Sequence, residues 1–440
     1  MENFSTKPTY ETAIEMFSKD VLGRNDEIAR FVNLLDAIDD RDGFTIALNG
    51  DWGSGKTFFV KQTKLILDCH NDHSDLDDEN RKSMKGIVHD KGLGCKGNYA
   101  TAYYDAWAND NSEDPILSLM YSVLKGNRQL MPENKRDLAD IFASIIEVVS
   151  GGNITGVLEK LRGDNPFESI MGDESIHELV KKFLNNLIVE RGNRLVIFID
   201  ELDRCKPAFA IQLLERIKHY FDDNRVIFVF SVNLVQLQHT IKAHYGAGFD
   251  ATRYMDKFFD IRISLPEINY DRYIDYKFRF MSHSTYYYDE VCRDTVKHFR
   301  FSLRETERYI RLTRIAYNQN NRIVCGFDNG ACEFVVILFA PIIIGLGIKN
   351  LDLQTELLSG QNSTFICDIL LNSAKSKNFL YHITKSDNYE EVIRGVYSAL
   401  FISREPQAEV FGMIFNSEVR SAFGQVVSLL STNCNYSFTT

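Results

Sequence analysis

Short apolar runs alternate with amphipathic stretches along the first part of the chain. Phe44–Asn49, Tyr99–Tyr104, Leu195–Ile199, Val226–Val232 and Ile261–Leu265 read as five strands. Leu195–Ile199 and Val226–Val232 are continuous apolar runs, the pattern of strands buried on both faces. Phe58–Leu67 carries a helical pattern, and residues 115–190 read as mostly helical, broken at Gly151-Gly152 and Gly163-Asp164. The polar stretch Asp68–Gly97 reads as an insertion or long loop. Pro266 ends the fifth strand, and helices are predicted from there to the end of the chain. Strands interleaved with helices predict an α/β fold, a parallel sheet covered on both sides. The remainder predicts a helical C-terminal domain.

The longest apolar run, Phe334–Ile348, contains Pro341, Gly345 and Gly347. A spanning helix needs about 20 residues. The run is therefore expected to be a buried helix or a pair of helices, and no membrane span is expected. The first residues lack a basic segment followed by an apolar one, so no secretory signal is expected.

Composition adds limits. The 440 residues allow two or three domains, and 44% hydrophobic with 25% charged matches a soluble globular protein. A net charge of −11 disfavours a general nucleic-acid coat. The eight cysteines are scattered without a CxxC pair, which points to a reducing compartment and a cytoplasmic location. Cys69, His70 and His73 lie in an acidic stretch and read as loop, not as a zinc site.

Gly50-xxxx-Gly55-Lys56-Thr57 follows the first strand and opens a helix, which is the full Walker A pattern. Its glycines let backbone N–H groups face phosphate oxygens. Gly50, Asp51, Trp52, Gly53, Ser54, Gly55, Lys56, Thr57 and Phe58 are the predicted ATP-binding set. Lys56 reaches the β and γ phosphates, and Thr57 holds Mg²⁺. The strand ending in Asp200-Glu201 has the Walker B form. Asp200 is assigned to Mg²⁺ and Glu201 to the base that activates water. A strand between those of Walker A and Walker B, with a glutamate after the aspartate, fits P-loop NTPases of the additional-strand type. The expected strand order is 5-1-4-3-2. Asn233, at the end of the middle strand, is either a γ-phosphate sensor or a helix cap. Asn134-Lys-Arg-Asp137 fits a guanine-reading pattern, but it precedes the Walker B strand and follows no apolar strand. ATP is therefore expected over GTP.

These residues resemble the KAP family of P-loop NTPases over roughly residues 15–315. The resemblance rests on Asp20-Val-Leu-Gly-Arg24, on Gly50-Asp-Trp-Gly-Ser-Gly-Lys-Thr57, and on Tyr104-Asp-Ala-Trp107. Asp200-Glu-Leu-Asp-Arg-Cys205 and Tyr254-Met-Asp-Lys257 complete it. It implies an ATPase of the additional-strand type, a conformational switch or motor. For bacterial relatives it implies a link to exclusion of phage or plasmids. Many relatives carry inserted transmembrane helices, and residues 112–190 here hold nothing long enough. Asp203 and Arg204 match the extended Walker B motif. They read either as an ion pair at the strand end or, for Arg204, as a finger at a neighbour's nucleotide. Arg304, Arg308 and Arg311 share a face of a helix similar to the family's lid helix; they read either as a solvated basic face or, for Arg304 and Arg308, as phosphate sensors.

Lys297, Arg300, Arg304, Arg308, Arg311, Arg314 and Arg322 outnumber Glu305 and Glu307, and Tyr309 and Tyr317 lie among them. Nucleic acid is therefore a secondary candidate partner, beside a homo-oligomer or a partner protein of a defence system. The predicted organisation is an NTPase core at 1–268 with a largely helical insertion around 108–190. A helical lid at 269–325 and a helical C-terminal domain at 326–440 follow. The same motifs also suit a nucleotide-gated scaffold or a nucleic-acid-remodelling ATPase with low intrinsic turnover.

Overall fold

The computed structural model describes residues 9–38, 43–112, 114–126, 192–221, 223–278, 286–324 and 330–430. Most of the predicted insertion, with Asn134 and Asp137, lies outside them. The described residues fall into two compact units, Lys7–Ile268 and Asn269–Thr440.

The first unit is built on a five-stranded parallel sheet. Its strands are β1 Phe44–Asn49, β2 Tyr99–Asp105, β3 Arg194–Asp200, β4 Val226–Val232 and β5 Ile261–Ser264. The spatial order is β2-β3-β4-β1-β5, which read from the other edge is the expected 5-1-4-3-2. Every residue of β3 and β4 is buried. Their unbroken apolar sequences follow from that, because central parallel strands meet helices on both faces. Edge strand β5 alternates half-buried and exposed positions instead.

The helices of this unit are α1 Tyr10–Ser18, α2 Asn25–Ala37, α3 Lys56–His70, α4 Asp78–Asp90 and α5 Pro115–Gly126. After β3 come α6 Pro207–Tyr220, α7 Leu234–Tyr245 and α8 Ala251–Met255. One apolar cluster joins Phe31, Phe59, Ile66 and Val88 to Ile46, Val196 and Val229. A second joins Leu119, Leu214 and Leu237 to Ile197 and Phe228. Alternate residues of the same strands serve the two clusters, so the sheet is covered on both sides.

The stretch expected as a loop, Asp68–Gly97, contains α4. Asp77 caps it, its carboxylate accepting from the Asn80 N–H at 2.9 Å. Met84 and Val88, four residues apart, are buried.

The parallel register sets the functional edge. Asp105 lies opposite Asp200, Asp200 opposite Ser231, and Asn49 opposite Val232. All are at strand C-termini, the edge where ligands of such sheets bind.

The second unit contains α9 Tyr270–Phe278, α10 Tyr286–Phe299, α11 Leu303–Val324, α12 Gly330–Lys349 and α13 Leu351–Leu358. It continues with α14 Thr364–Leu371, α15 Ala374–Thr384, α16 Tyr389–Phe401 and α17 Ser417–Leu430. The predicted lid and C-terminal segments both fall in it. α11 opens on a capping box. The Ser302 N–H donates to Glu305 Oε2 at 2.8 Å, and the Glu305 N–H donates to Ser302 Oγ at 3.3 Å.

The apolar run is one helix, α12, with Pro341 inside it. It is long and apolar enough to cross a membrane by length and composition, but 78% of its most apolar window is buried within the protein. A Cβ on Gly345 would lie 2.5 Å from Thr295 Cγ2, so this glycine admits the close approach of α10. The expectation of helices alone is corrected by an antiparallel hairpin, β6 Gln407–Val410 and β7 Met413–Asn416. Its two-residue turn, Phe411-Gly412, has positive φ at both positions, 49° and 78°. Those are the signs of a type I′ turn.

Candidate functional site

The loop between β1 and α3 starts where Gly50 N–H donates to Val232 O at 3.1 Å, tying it to β4. Gly53 and Gly55 have φ of 77° and 90°, in the left-handed region that side chains resist. α3 then begins at Lys56, so its first free N–H groups and the positive end of its dipole face the loop.

Lys56 is only 8% exposed. Its ammonium donates to Gly50 O at 2.5 Å and to Asp51 O at 3.2 Å. Burial lowers its pKa, and Asp203 and Asp200 work against that shift. Thr57 Oγ1 donates to Asp200 Oδ2 at 2.6 Å, which brings the end of β3 against the start of α3. Asp200, 1% exposed, also accepts from Tyr103 OH at 3.1 Å and, through Oδ1, from the Glu201 N–H at 3.0 Å. Burial first, then the charges of Asp200 and Asp105, push the Tyr103 hydroxyl far above its ordinary pKa, so it stays a donor. The Lys61 ammonium lies 4.9 Å from the Tyr103 ring centre, its own pKa lowered by burial.

Glu201 leaves β3 with φ 61°, a left-handed conformation that re-aims the chain at once. Of the two readings of Asp203 and Arg204, the ion pair between them does not form. Arg204 Nη1 meets Glu201 Oε1 at 3.0 Å, and Asp203 Oδ2 accepts from the Trp52 indole N–H at 2.6 Å. Three-residue spacing in a tight turn brings 201 and 204 together, while Asp203 faces the phosphate loop. The Arg204 guanidinium sits 5.8 Å from the Trp52 ring centre and 5.6 Å from that of Trp107.

Asn233 is a helix cap, one of its two expected roles. Its Oδ1 caps α7, accepting from the Val235 and Gln236 N–H groups at 3.0 and 3.1 Å. Its amide donates to Asp51 Oδ1 at 3.2 Å, inside the phosphate loop.

Arg24, part of the motif that carries the resemblance, reaches the same loop. Nη1 donates to Ser54 O at 2.7 Å, and Nη2 donates to Pro266 O. Neither periodicity nor the Walker pattern marks it. Tyr103 was likewise unmarked, and Trp107 entered only through the resemblance.

The site thus gathers Gly50 to Phe58, Asp200, Glu201, Arg204 and Asn233 at one sheet edge. Arg304 and Arg308 belong to α11 of the other unit, exposed with Arg311 along one face. The Thr57 hydroxyl and Asp200 carboxylate, hard oxygens in contact, fit a Mg²⁺ ion. Ser54 Oγ is buried without a partner beside the cradle, and a Cβ on Gly50 would lie 2.9 Å from it. The loop therefore fits a phosphate chain. Among the described residues no cluster of three His, Cys, Asp or Glu could hold another metal.

The model of the KAP family P-loop domain matches residues 24–320. An uncharacterised protein of Methanocaldococcus jannaschii is 42% identical over 55 residues. That stretch covers 11% of this chain and spans 28% of the length of that relative. Among solved structures, the ORC2 protein of Aeropyrum pernix, in ADPNP–ADP complexes, aligns over 92% of this chain and 93% of its own length. The identity there is 11% and the TM-score 0.35.

Proposed function

The chain belongs to the KAP family of P-loop NTPases, and from that premise we propose that it binds ATP with Mg²⁺ and hydrolyses it as a conformational switch or motor. The observation that carries this reading is the contact between Thr57 and Asp200, 2.6 Å, beside the buried Lys56 and one residue before Glu201.

Backbone N–H groups at the start of α3 hydrogen-bond phosphate oxygens, and Lys56 exchanges its two carbonyl partners for them. Its ammonium regains counter-charge when it does so, which offsets its burial. Thr57 and Asp200 hold Mg²⁺, which when bound supplies charge to the phosphates. Glu201 orients a water and takes its proton. Asn233 holds Asp51, and so the loop, against α7. Arg204 sits beside the base, placed to neutralise charge in cis. Arg304 and Arg308 are proposed as phosphate-sensing residues. Their alanine variants would raise KM for ATP if so, and an unchanged KM would remove them.

Lys56→Ala should abolish binding of ATP in a calorimetric titration. Glu201→Gln should still bind ATP but lose about a hundredfold or more in turnover. Turnover at the wild-type rate in Glu201→Gln would reject its role. A cytoplasmic place and a part in defence against phage or plasmids complete the proposal. They rest on the family resemblance, and protection of cells by the wild type but not by Lys56→Ala would support the defence role. Equal protection would count against it.

A further inference from the structure

We propose that Trp107, with Trp52 and Asp203, is a positioning residue that fixes the Glu201 carboxylate through the guanidinium of Arg204. The proposal rests on the reading of Glu201 as the base.

The chain has two tryptophans in 440 residues. Both lie against the same guanidinium, with ring centres 5.8 and 5.6 Å from its central carbon. They come from different elements. Trp52 belongs to the phosphate loop, and Trp107 begins the short turn that follows β2. Arg204 belongs to the turn after β3. Each indole is about half exposed, 48% and 52%, so neither contributes much to a core. What each offers is its π-face, which attracts a cation.

The Arg204 and Glu201 side chains are only 17% and 21% exposed, so their pair is screened less than a surface pair. Aromatic contacts on the guanidinium restrict how it can turn. Here the pair also closes on itself, since the Arg204 N–H donates to Glu201 O at 3.1 Å while the side chains meet at 3.0 Å. Trp52 is tethered in turn by its indole N–H on Asp203 Oδ2, 2.6 Å away. The direction of the Glu201 carboxylate is thus set from three segments of the sheet edge. One of them, the phosphate loop, is the segment the nucleotide would occupy. Trp107 and Asp203 act here through Arg204 and Trp52, not by touching the nucleotide.

Turnover and emission test this. Trp107→Ala should lower kcat about ten- to a hundredfold while KM for ATP stays within about twofold. Trp107→Phe, which keeps an aromatic face, should retain most of the activity. Trp107 is half exposed, so both variants should keep the wild-type far-ultraviolet circular dichroism. A second readout needs no turnover. Because both tryptophans adjoin Arg204, Arg204→Ala should change the emission of the nucleotide-free protein, and should still do so in the Trp107→Phe background through Trp52. Emission indifferent to Arg204→Ala would overturn the proposal. So would Trp107→Phe falling as far as Trp107→Ala, or a KM that rises in step with the loss of kcat. Full turnover in Glu201→Gln would remove the reading beneath the proposal and the proposal with it. An inactive Glu201→Gln beside a fully active Trp107→Ala would overturn the proposal alone.

Discussion

At the residue scale, the two most buried cations of the site lean on main-chain carbonyls. Lys56 is held by two carbonyls and Arg24 by two more, on Ser54 and Pro266. Such bonds fix a loop's shape without consuming the acids that chemistry needs. Removing the Arg24 guanidinium leaves two carbonyls without their donor, and a charged hydrogen bond is worth about 1.5–3 kcal/mol. Part of that loss should appear as looser phosphate binding. Arg24→Gln is expected to weaken ATP binding about tenfold, or about 1.4 kcal/mol, in a calorimetric titration. An unchanged Kd would show that the loop keeps its shape unaided. The pairing of Arg204 with Glu201, where an Asp203–Arg204 pair was one expectation, is a lesson at the same scale. Adjacent residues in a turn point apart, and Asp203 was claimed by a tryptophan 151 positions earlier. No local pattern reports such a partner.

At the element scale, legibility followed burial. β3 and β4 are buried at every position, and their apolar runs could be read directly. Their order followed from the motifs at their ends. α4 was missed because its apolar contribution is small, Met84 and Val88 amid charged residues. The β6–β7 hairpin was missed because its turn is Phe411-Gly412. The usual signal is Asn-Gly or Asp-Gly, and Phe at φ 49° is an unexpected choice. α12 is the buried helix its apolar run predicts, and Gly330–Glu333 extends it before that run begins. α11 offers a prediction of its own. Ser302→Ala removes the hydroxyl half of the capping box, the acceptor for the Glu305 N–H, and should cost about 1 kcal/mol. In thermal melts of a unit this size that is a fall of about 2–4 °C. No shift would mean that packing of Tyr309 and Ile310, both buried, holds the helix start by itself.

At the scale of the whole molecule, the division at Ile268 and Asn269 separates two independent sets of cores. Ile274, Tyr309 and Phe301 form one cluster of the second unit, and Phe334, Leu338, Leu400 and Phe415 belong to another. A segment with its own cores should fold by itself. Residues 269–440 expressed alone are expected to be helical by circular dichroism and to melt cooperatively. A gradual melt would show that the segment depends on the rest of the chain. Charge is also distributed unevenly. Asp72, Asp75, Asp77, Asp78 and Glu79 crowd one stretch of the first unit, while Arg304, Arg308 and Arg311 line an exposed face in the second. The net charge of −11 therefore describes neither surface. The tie from Arg24 to Ser54 and Pro266 bears on how this protein can be cut and joined. The strand, loop and helix around the phosphates are not a portable cassette. Their shape is held by a side chain that precedes the first strand and by a carbonyl that follows the last. A truncated or fused chain beginning just before β1 would keep every letter of the phosphate-loop motif and lose the brace that shapes it.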